Sequence, residues 1–259
     1  MRAKGAWVIT GGASGFGLEF ARRLMERGET VALWDQSEDA LASTRRALQV
    51  AHTEVTDVRD PVSLTRAAQR TRDAVGPIAH VINSAGVLRV GDAEQVLPAD
   101  YRLMMEVNYL GSVHVTQALL PHLEEAATRD GKGSATLLLV ASVAGLRGFP
   151  QLAGYCASKF AVVGFGEALR VELRDRPIDV RILCPPPGDT PMVRDLERVP
   201  PVYKLSRLFS AEEVVAATLR ALDTRDPMIF VDATSRATRA VNANATGLLD
   251  RVLHLAGKL

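Results

Sequence analysis

The amino-acid sequence predicts a single α/β domain, doubly wound, with a parallel sheet of about seven strands flanked by helices. Three observations carry that prediction. Short apolar, β-rich runs recur along the 259 residues, longer stretches of helical periodicity separate them, and a glycine-rich turn joins the first run to the first helix.

The strand-like runs are "AWVIT" (6–10), "TVALWD" (30–35), "AHTEVTDV" (51–58), "HVINSAG" (80–86), "ATLLLVAS" (135–142), "DVRILCP" (179–185) and "MIFVD" (228–232). Most lack polar alternation, as expected of strands covered on both faces. Helical periodicity falls at about 16–27, 37–48, 61–75, 98–127, 155–174 and 211–222. No repeat, low-complexity segment or linker divides the chain, so one domain over 1–232 is expected, with 233–259 as its C-terminal tail.

Composition narrows the function. A net charge of +1 without a dense basic run gives no electrostatic case for nucleic acid. Cys156 and Cys184 match neither a zinc spacing nor a disulfide framework. No metal site is expected, and a reducing, cytoplasmic setting is the simpler reading. The N-terminus runs straight into a strand without the pattern of a signal peptide, and no apolar stretch is long enough to span a bilayer.

Two local patterns carry chemistry. "TGGASGFG" (10–17) places Gly11, Gly12, Ser14, Gly15, Phe16 and Gly17 between the first strand and the first helix. Glycines there let backbone N–H groups approach a diphosphate at a helix N-terminus, where the dipole favours anions. Asp35 closes the second strand 18 residues after Gly17, near the ~20-residue offset at which an acid binds adenosine ribose hydroxyls. The alternative reading of Asp35 is a helix cap. The second pattern is "YCASK" (155–159). Tyr155 and Lys159 share a helix face, and an ammonium beside a phenol is expected to lower a pKa that starts near ~10.

In order, these motifs resemble the short-chain dehydrogenases/reductases, in their classical rather than extended form. The resemblance covers about 5–232 and rests on "TGGASGFG", Asp57-Val58, "NSAG" (83–86), Asn108, Ser142 and "YCASK". It implies that Tyr155 is the general acid/base and that Lys159 lowers its pKa and holds the nicotinamide ribose. It further implies that Ser142 binds the reacting oxygen and that Asn108 anchors a water leading from Lys159 to solvent. Asn83, Ala85, Gly86, Asp57, Val58, Pro185, Gly188 and Thr190 would join Gly11, Ser14, Gly15, Phe16, Gly17 and Asp35 around the cofactor. Two departures stand out: Ser84 replaces a common asparagine, and "CPPPGDTPM" (184–192) puts Pro186 at a usual glycine, removing an N–H.

The implied function is hydride transfer between a nicotinamide cofactor and a secondary alcohol or ketone. Asp35 would repel a 2′-phosphate, so NAD is expected over NADP. Residues 189–209 would form a lid over the substrate, mixing Met192, Val193, Leu196, Tyr203, Leu208 and Phe209 with Arg194, Arg198, Lys204 and Arg207. Such a lid suits an apolar, lipid- or steroid-like substrate. The competing functional class is a non-catalytic dinucleotide sensor or scaffold. Phe160, Val163 and Phe165 cover more than one face of their helix, which with the resemblance implies a homodimer or homotetramer. In the tail, Leu248, Leu249, Val252, Leu253, Leu255 and Ala256 oppose Asp250, Arg251 and Lys258. That stripe suits either docking on protein or peripheral contact with a membrane.

Overall fold

The computed structural model describes residues 2–129, 133–224 and 226–244. Seven strands form the central sheet: β1 (Ala6–Thr10), β2 (Val31–Asp35), β3 (His52–Val55), β4 (Ile78–Asn83), β5 (Ala135–Val140), β6 (Ile178–Leu183) and β9 (Met228–Ile229). Their order is β3-β2-β1-β4-β5-β6-β9, parallel throughout. A two-residue pair, β7 (Gly188–Asp189) and β8 (Phe209–Ser210), lies outside it. The helices are α1 (Gly15–Glu26), α2 (Glu38–Leu48), α3 (Pro61–Val75), α4 (Pro98–Met104), α5 (Gly111–Arg129), α6 (Ala153–Glu172), α7 (Pro191–Arg194), α8 (Pro201–Leu205), α9 (Ala211–Ala221) and α10 (Ala233–Asn244). The expected single α/β domain with its parallel sheet is therefore present.

Alternate residues of each strand feed the two faces. Val8, Ala32, Trp34, Val81, Leu137, Leu139, Val180 and Ile182 join the core on one face, while Trp7, Ile9, Leu33, Ile82, Leu138 and Leu183 join the other. Period-two packing on both faces explains why the strands read as continuous apolar runs. Helix starts follow local chemistry. Asp60 accepts from the Val62 and Ser63 N–H groups ahead of Pro61, and Ser210 with Glu213 forms a capping box at α9.

Several expected boundaries shift. The strands at 51–58, 80–86, 135–142, 179–185 and 228–232 each end earlier, because the chain turns out of the ladder to shape the loops beyond its carboxyl end. The expected helix at 98–127 is α4 and α5 joined by a π-helical turn, Met105–Leu110. The amphipathic stripe at 248–256 lies outside the described residues. No helix among them is long and apolar enough to cross a membrane.

His80, on β4, is buried, stacks on Trp7 with centroids 4.3 Å apart, and bonds through Nε2 to the Ala3 carbonyl at 3.0 Å. Burial pushes its pKa down to about 4, helped by the nearby Arg2 charge and opposed by the Ala3 bond. The unfolded chain, with an ordinary imidazole, takes up a proton first as pH falls. Stability from this group is complete above about pH 6.5 and is lost between there and pH 4, on the order of 3 kcal/mol in all. Urea denaturation at pH 7.5 and 5 should show a smaller acid-induced loss in His80→Phe, which retains the stack on Trp7. An equal loss in both proteins would assign the acid sensitivity elsewhere.

Candidate functional site

The sheet order reverses direction between β1 and β4, which places a crevice beyond the carboxyl ends of those strands. A cleft of about 220 Å³ opens there, lined on one side by Gly11, Ser14, Gly15 and Phe16 and on another by Ser142, Tyr155 and Lys159. Thr10, the last residue of β1, fixes the floor. Its buried hydroxyl donates to Asn83 Oδ1 at 2.7 Å and accepts from the Ser84 and Ala85 N–H groups at 3.1 and 3.2 Å.

The glycine turn is sterically required. Gly11 sits at φ 62°, and a Cβ on Gly17 would lie 2.1 Å from the Gly11 carbonyl oxygen. Helix α1 therefore begins pressed against the end of β1. Ser14 caps it with extended backbone but no side-chain bond, and no acid lies in its first turn. The leading N–H groups of α1 are thus left for an anion from outside the helix. Asp35 lines the same cleft, with Oδ2 accepting from the Ala13 N–H at 3.1 Å and Oδ1 from the Ser37 N–H at 3.1 Å. Each oxygen retains acceptor capacity for a hydroxyl. Turn, helix end and acid fit the diphosphate and ribose of a dinucleotide.

Across the cleft, Ser142 ends the loop after β5, and Tyr155 and Lys159 lie one turn apart on α6. The Ser142 hydroxyl hydrogen-bonds the Tyr155 side chain, and Lys159 Nζ donates to the Val140 carbonyl at 2.9 Å while lying 5.7 Å from the centre of the Tyr155 ring. The electrostatics correct the expectation of a lowered phenol pKa. Burial raises Tyr155 to about 12, outweighing the Ser142 bond, and lowers Lys159 to about 8. Desolvation disfavours both charged forms. Tyr155 is therefore a phenol at neutral pH.

Asp57, Val58, Ala85, Gly86, Pro185, Gly188 and Thr190 also line the cleft. The Asp57 carboxylate, however, is held by Arg59 with contacts from 2.5 to 3.1 Å, which keeps it below its ordinary pKa. Gly188 carries no Cβ because one would fall 2.4 Å from the Phe16 ring. Three expected site residues stand behind the lining. Gly17 packs on the turn, Asn83 bonds Thr10, and Asn108 spans Val87 and Ser158. Asn108 occupies the π-helical turn, accepts from Val87 N–H at 2.8 Å, and donates to the Ser158 hydroxyl at 2.8 Å. Ser158 in turn donates to the Tyr155 carbonyl at 2.8 Å. Gly86 leaves room beside this pair, since its Cβ would stand 3.2 Å from Asn108 Oδ1 and 3.6 Å from Lys159 Nζ.

Sequence reasoning missed Trp34, Gln36, Thr56, Ser84 and Val87 as lining residues. Their places follow from strand ends meeting in space, and only their adjacency to Asp35, Asp57 and the 83–86 motif hinted at them. From the segment 189–209, Met192, Val193 and Tyr203 reach the cleft, whereas Arg194, Arg198 and Arg207 turn away to pair with Asp189, Asp92 and Glu213. Leu196, Val202 and Tyr203 pack with Leu88, Leu152, Phe149 and Cys156 around Tyr155. The cleft is thus apolar around Tyr155. Burial raises the Tyr203 phenol, and Tyr155 adds to the shift, so both phenols are neutral there. Among the described residues no cluster suits a metal ion.

A family model described as short chain dehydrogenase matches residues 6–200. A 3-dehydrosphinganine reductase of Arabidopsis thaliana is 37% identical over 188 residues, covering 71% of this chain but 55% of that protein. Human 17-beta-hydroxysteroid dehydrogenase 13 is 30% identical over 231 residues, covering 86% of this chain and 73% of that protein. Among solved structures, a short chain dehydrogenase/reductase from Burkholderia phymatum in complex with NAD superposes with a TM-score of 0.84 at 26% identity, over 96% of each chain. One from Burkholderia cenocepacia in complex with NADP gives 0.81 at 25% identity, over 98% of this chain and 99% of the other.

The Thr10 hydroxyl offers a direct test of how the floor is held. Thr10→Val preserves shape but leaves Asn83 Oδ1 and two N–H groups without that partner, at a cost on the order of 3 kcal/mol. Urea denaturation should show that loss, together with weaker NADH binding by fluorescence titration. A wild-type denaturation midpoint would show that these bonds are replaced without penalty.

Proposed function

The chain belongs to the short chain dehydrogenase family of NAD(P)-dependent oxidoreductases, and on that premise we propose that it interconverts an apolar secondary alcohol and its ketone with NAD(H). The observation that carries this reading is the convergence of Ser142, Tyr155 and Lys159 on the cleft that also holds the glycine turn and Asp35. A sensor or scaffold would have no need of a buried serine–phenol pair beside an ammonium.

Bound nicotinamide would supply or accept the hydride. The N–H groups at the start of α1 would hold its diphosphate, Asp35 and Lys159 the two riboses, and Asp57 and Val58 the adenine side. Pro185, Gly188 and Thr190 would border the nicotinamide. On the substrate, Tyr155 Oη gives its proton to the ketone oxygen in reduction and recovers it in oxidation. The Ser142 hydroxyl donates to the same oxygen as charge develops on it. Asn108, through Ser158, fixes the first turn of α6 and with it the direction of the phenol.

The apolar wall around Tyr155 supports a lipid- or steroid-like substrate, in keeping with the names of the two relatives above. Asp35 in the cleft supports NAD over NADP. Among the described residues no arginine lines the cleft to receive a 2′-phosphate, and Arg45 and Arg46, exposed in the last turn of α2, are not among its lining residues. Buried, unpaired Cys156 and Cys184 fit a cytoplasmic setting. Exposed Phe160 and Val171 on α6, with Leu110 beside α5, support a homodimer or homotetramer through these helices.

NADH consumption with octan-2-one, a 3-oxoacyl thioester and a steroid ketone tests the reaction, and no turnover with any ketone or alcohol of such a panel would return the sensor reading. Tyr155→Phe should lose at least about a thousandfold in turnover while NADH affinity holds. Because burial keeps Tyr155 protonated, ketone reduction should be level from pH 6 to 8. Alcohol oxidation, which needs the phenolate, should climb about tenfold per pH unit over that range. Oxidation that is flat across it would remove Tyr155 as the proton acceptor. Fluorescence titration should show tighter NADH than NADPH binding, with the gap narrowed in Asp35→Ala. The reverse preference would overturn the role given to Asp35.

A further inference from the structure

Helix α10 lies beyond the segment that the family model matches, yet it reaches the loop that carries Ser142. Asn242 makes the connection in both directions. Its Oδ1 accepts from Arg147 Nη1 at 2.6 Å, and its Nδ2 donates to the Leu146 carbonyl at 2.9 Å. Arg147 is 8% exposed and Leu146 7%, so these bonds form largely away from water. The helix itself is anchored independently: Arg239 pairs with Glu167 on α6 at 2.9 Å and donates to Met228 Sδ on β9 at 3.1 Å. Arg236 covers the Phe230 ring at 5.7 Å.

The loop is short and stiff from Ser142 to Leu146. The Ser142 Oγ accepts from the Ala144 N–H at 3.1 Å, and the Ser142 carbonyl from the Gly145 N–H at 2.9 Å. Leu146 N–H closes the turn on the Val143 carbonyl at 3.0 Å, and Val143 N–H reaches the Pro185 carbonyl at 3.0 Å. Gly145 rides directly on α6, where a Cβ would fall 2.6 Å from the Lys159 carbonyl oxygen. A turn this tight transmits a displacement of Leu146 back to Ser142, since Gly145 is held against α6 and the backbone bonds of the turn leave it no slack. Its first end is fixed by β5 and Pro185, its far end by Asn242.

We propose that Asn242 and Arg147 are positioning residues that clamp the Val143–Leu146 turn from the C-terminal helix and so aim the Ser142 hydroxyl at the reacting oxygen. This rests on the reading of Ser142 given above. The clamp holds a hydroxyl that bonds the Tyr155 side chain in the free protein and must turn its single proton to the substrate oxygen in the reaction. An error well below the length of a hydrogen bond is enough to weaken that bond in the transition state.

The test compares Asn242→Ala, Arg147→Met, the double variant and Ser142→Ala in the full chain, with the best ketone of the panel above. Each clamp variant should lose about tenfold in kcat with KM and NADH affinity near wild type, because only a transition-state contact is loosened. The double variant should be no worse than the singles, as expected of two residues acting as one unit. Amide hydrogen exchange over residues 143–147 should quicken in all three without substrate present. Asn242→Asp, which keeps the bond from Arg147 without the donor to Leu146, should fold and fall between wild type and Asn242→Ala. Wild-type kcat in the clamp variants alongside a damaged Ser142→Ala would overturn the clamp. Multiplying losses in the double variant, or equal losses in kcat and NADH affinity, would reduce it to ordinary helix packing. Wild-type kcat in Ser142→Ala would overturn the reading of Ser142 and the clamp with it.

Discussion

The cleft depends on one buried hydroxyl. Thr10 Oγ1 ties the end of β1 to Asn83 on β4 and to the Ser84 and Ala85 N–H groups, at the position where the sheet order changes direction. Backbone N–H groups that leave a strand in the protein interior need partners, and few side chains are short enough to give them one there. By accepting both, Thr10 lets the chain turn out of β4 beside the glycine turn. The two loops then face one another across a gap, rather than one closing over the other.

The second half of the site is built by burial. Tyr155 and Lys159 are taken out of water on α6, and desolvation drives each toward its neutral form. The resulting phenol keeps its proton at neutral pH, bonded to Ser142 and surrounded by apolar side chains from the loops and the short helix α8. In a dry site the Ser142 and Tyr155 hydroxyls count for more than they would in water. The arginines of the 189–209 segment are turned outward onto acids, so they add no cation to the apolar wall of the cleft.

These halves are joined by a layer of polar bonds behind the lining. Asn108 links the loop after β4 to Ser158, and Ser158 links it to the Tyr155 backbone. The π-helical turn at Met105–Leu110 carries Asn108 at this junction. On the opposite side, Asn242 and Arg147 reach the Ser142 loop from a helix near the end of the chain. Residues distant in sequence thereby hold the two hydroxyls from two directions.

Much of this was legible in the residues. Apolar runs fixed the strands because both faces of a parallel sheet demand apolar side chains, and the spacing of Gly11, Gly15 and Gly17 announced a turn that only glycine fits. The i, i+4 pair of Tyr155 and Lys159 was visible because helix geometry is local. The sign of their pKa shifts was not, since burial depends on what other segments bring: Leu88 and Phe149 arrive from separate loops, and Val202 and Tyr203 from α8. Asp57 was expected beside the cofactor and lines the cleft, but its carboxylate turns to Arg59 two residues away. Asn83 read as a cofactor residue, whereas the parallel pairing of β1 and β4 delivers it to Thr10. The reach of Asn242 to Leu146, across 96 residues, has no local signature at all. Sequence periodicity and spacing determined which groups this chain owns and which strands and helices carry them. Long-range packing decided which of those groups meet, how dry they become and therefore which of them hold their protons.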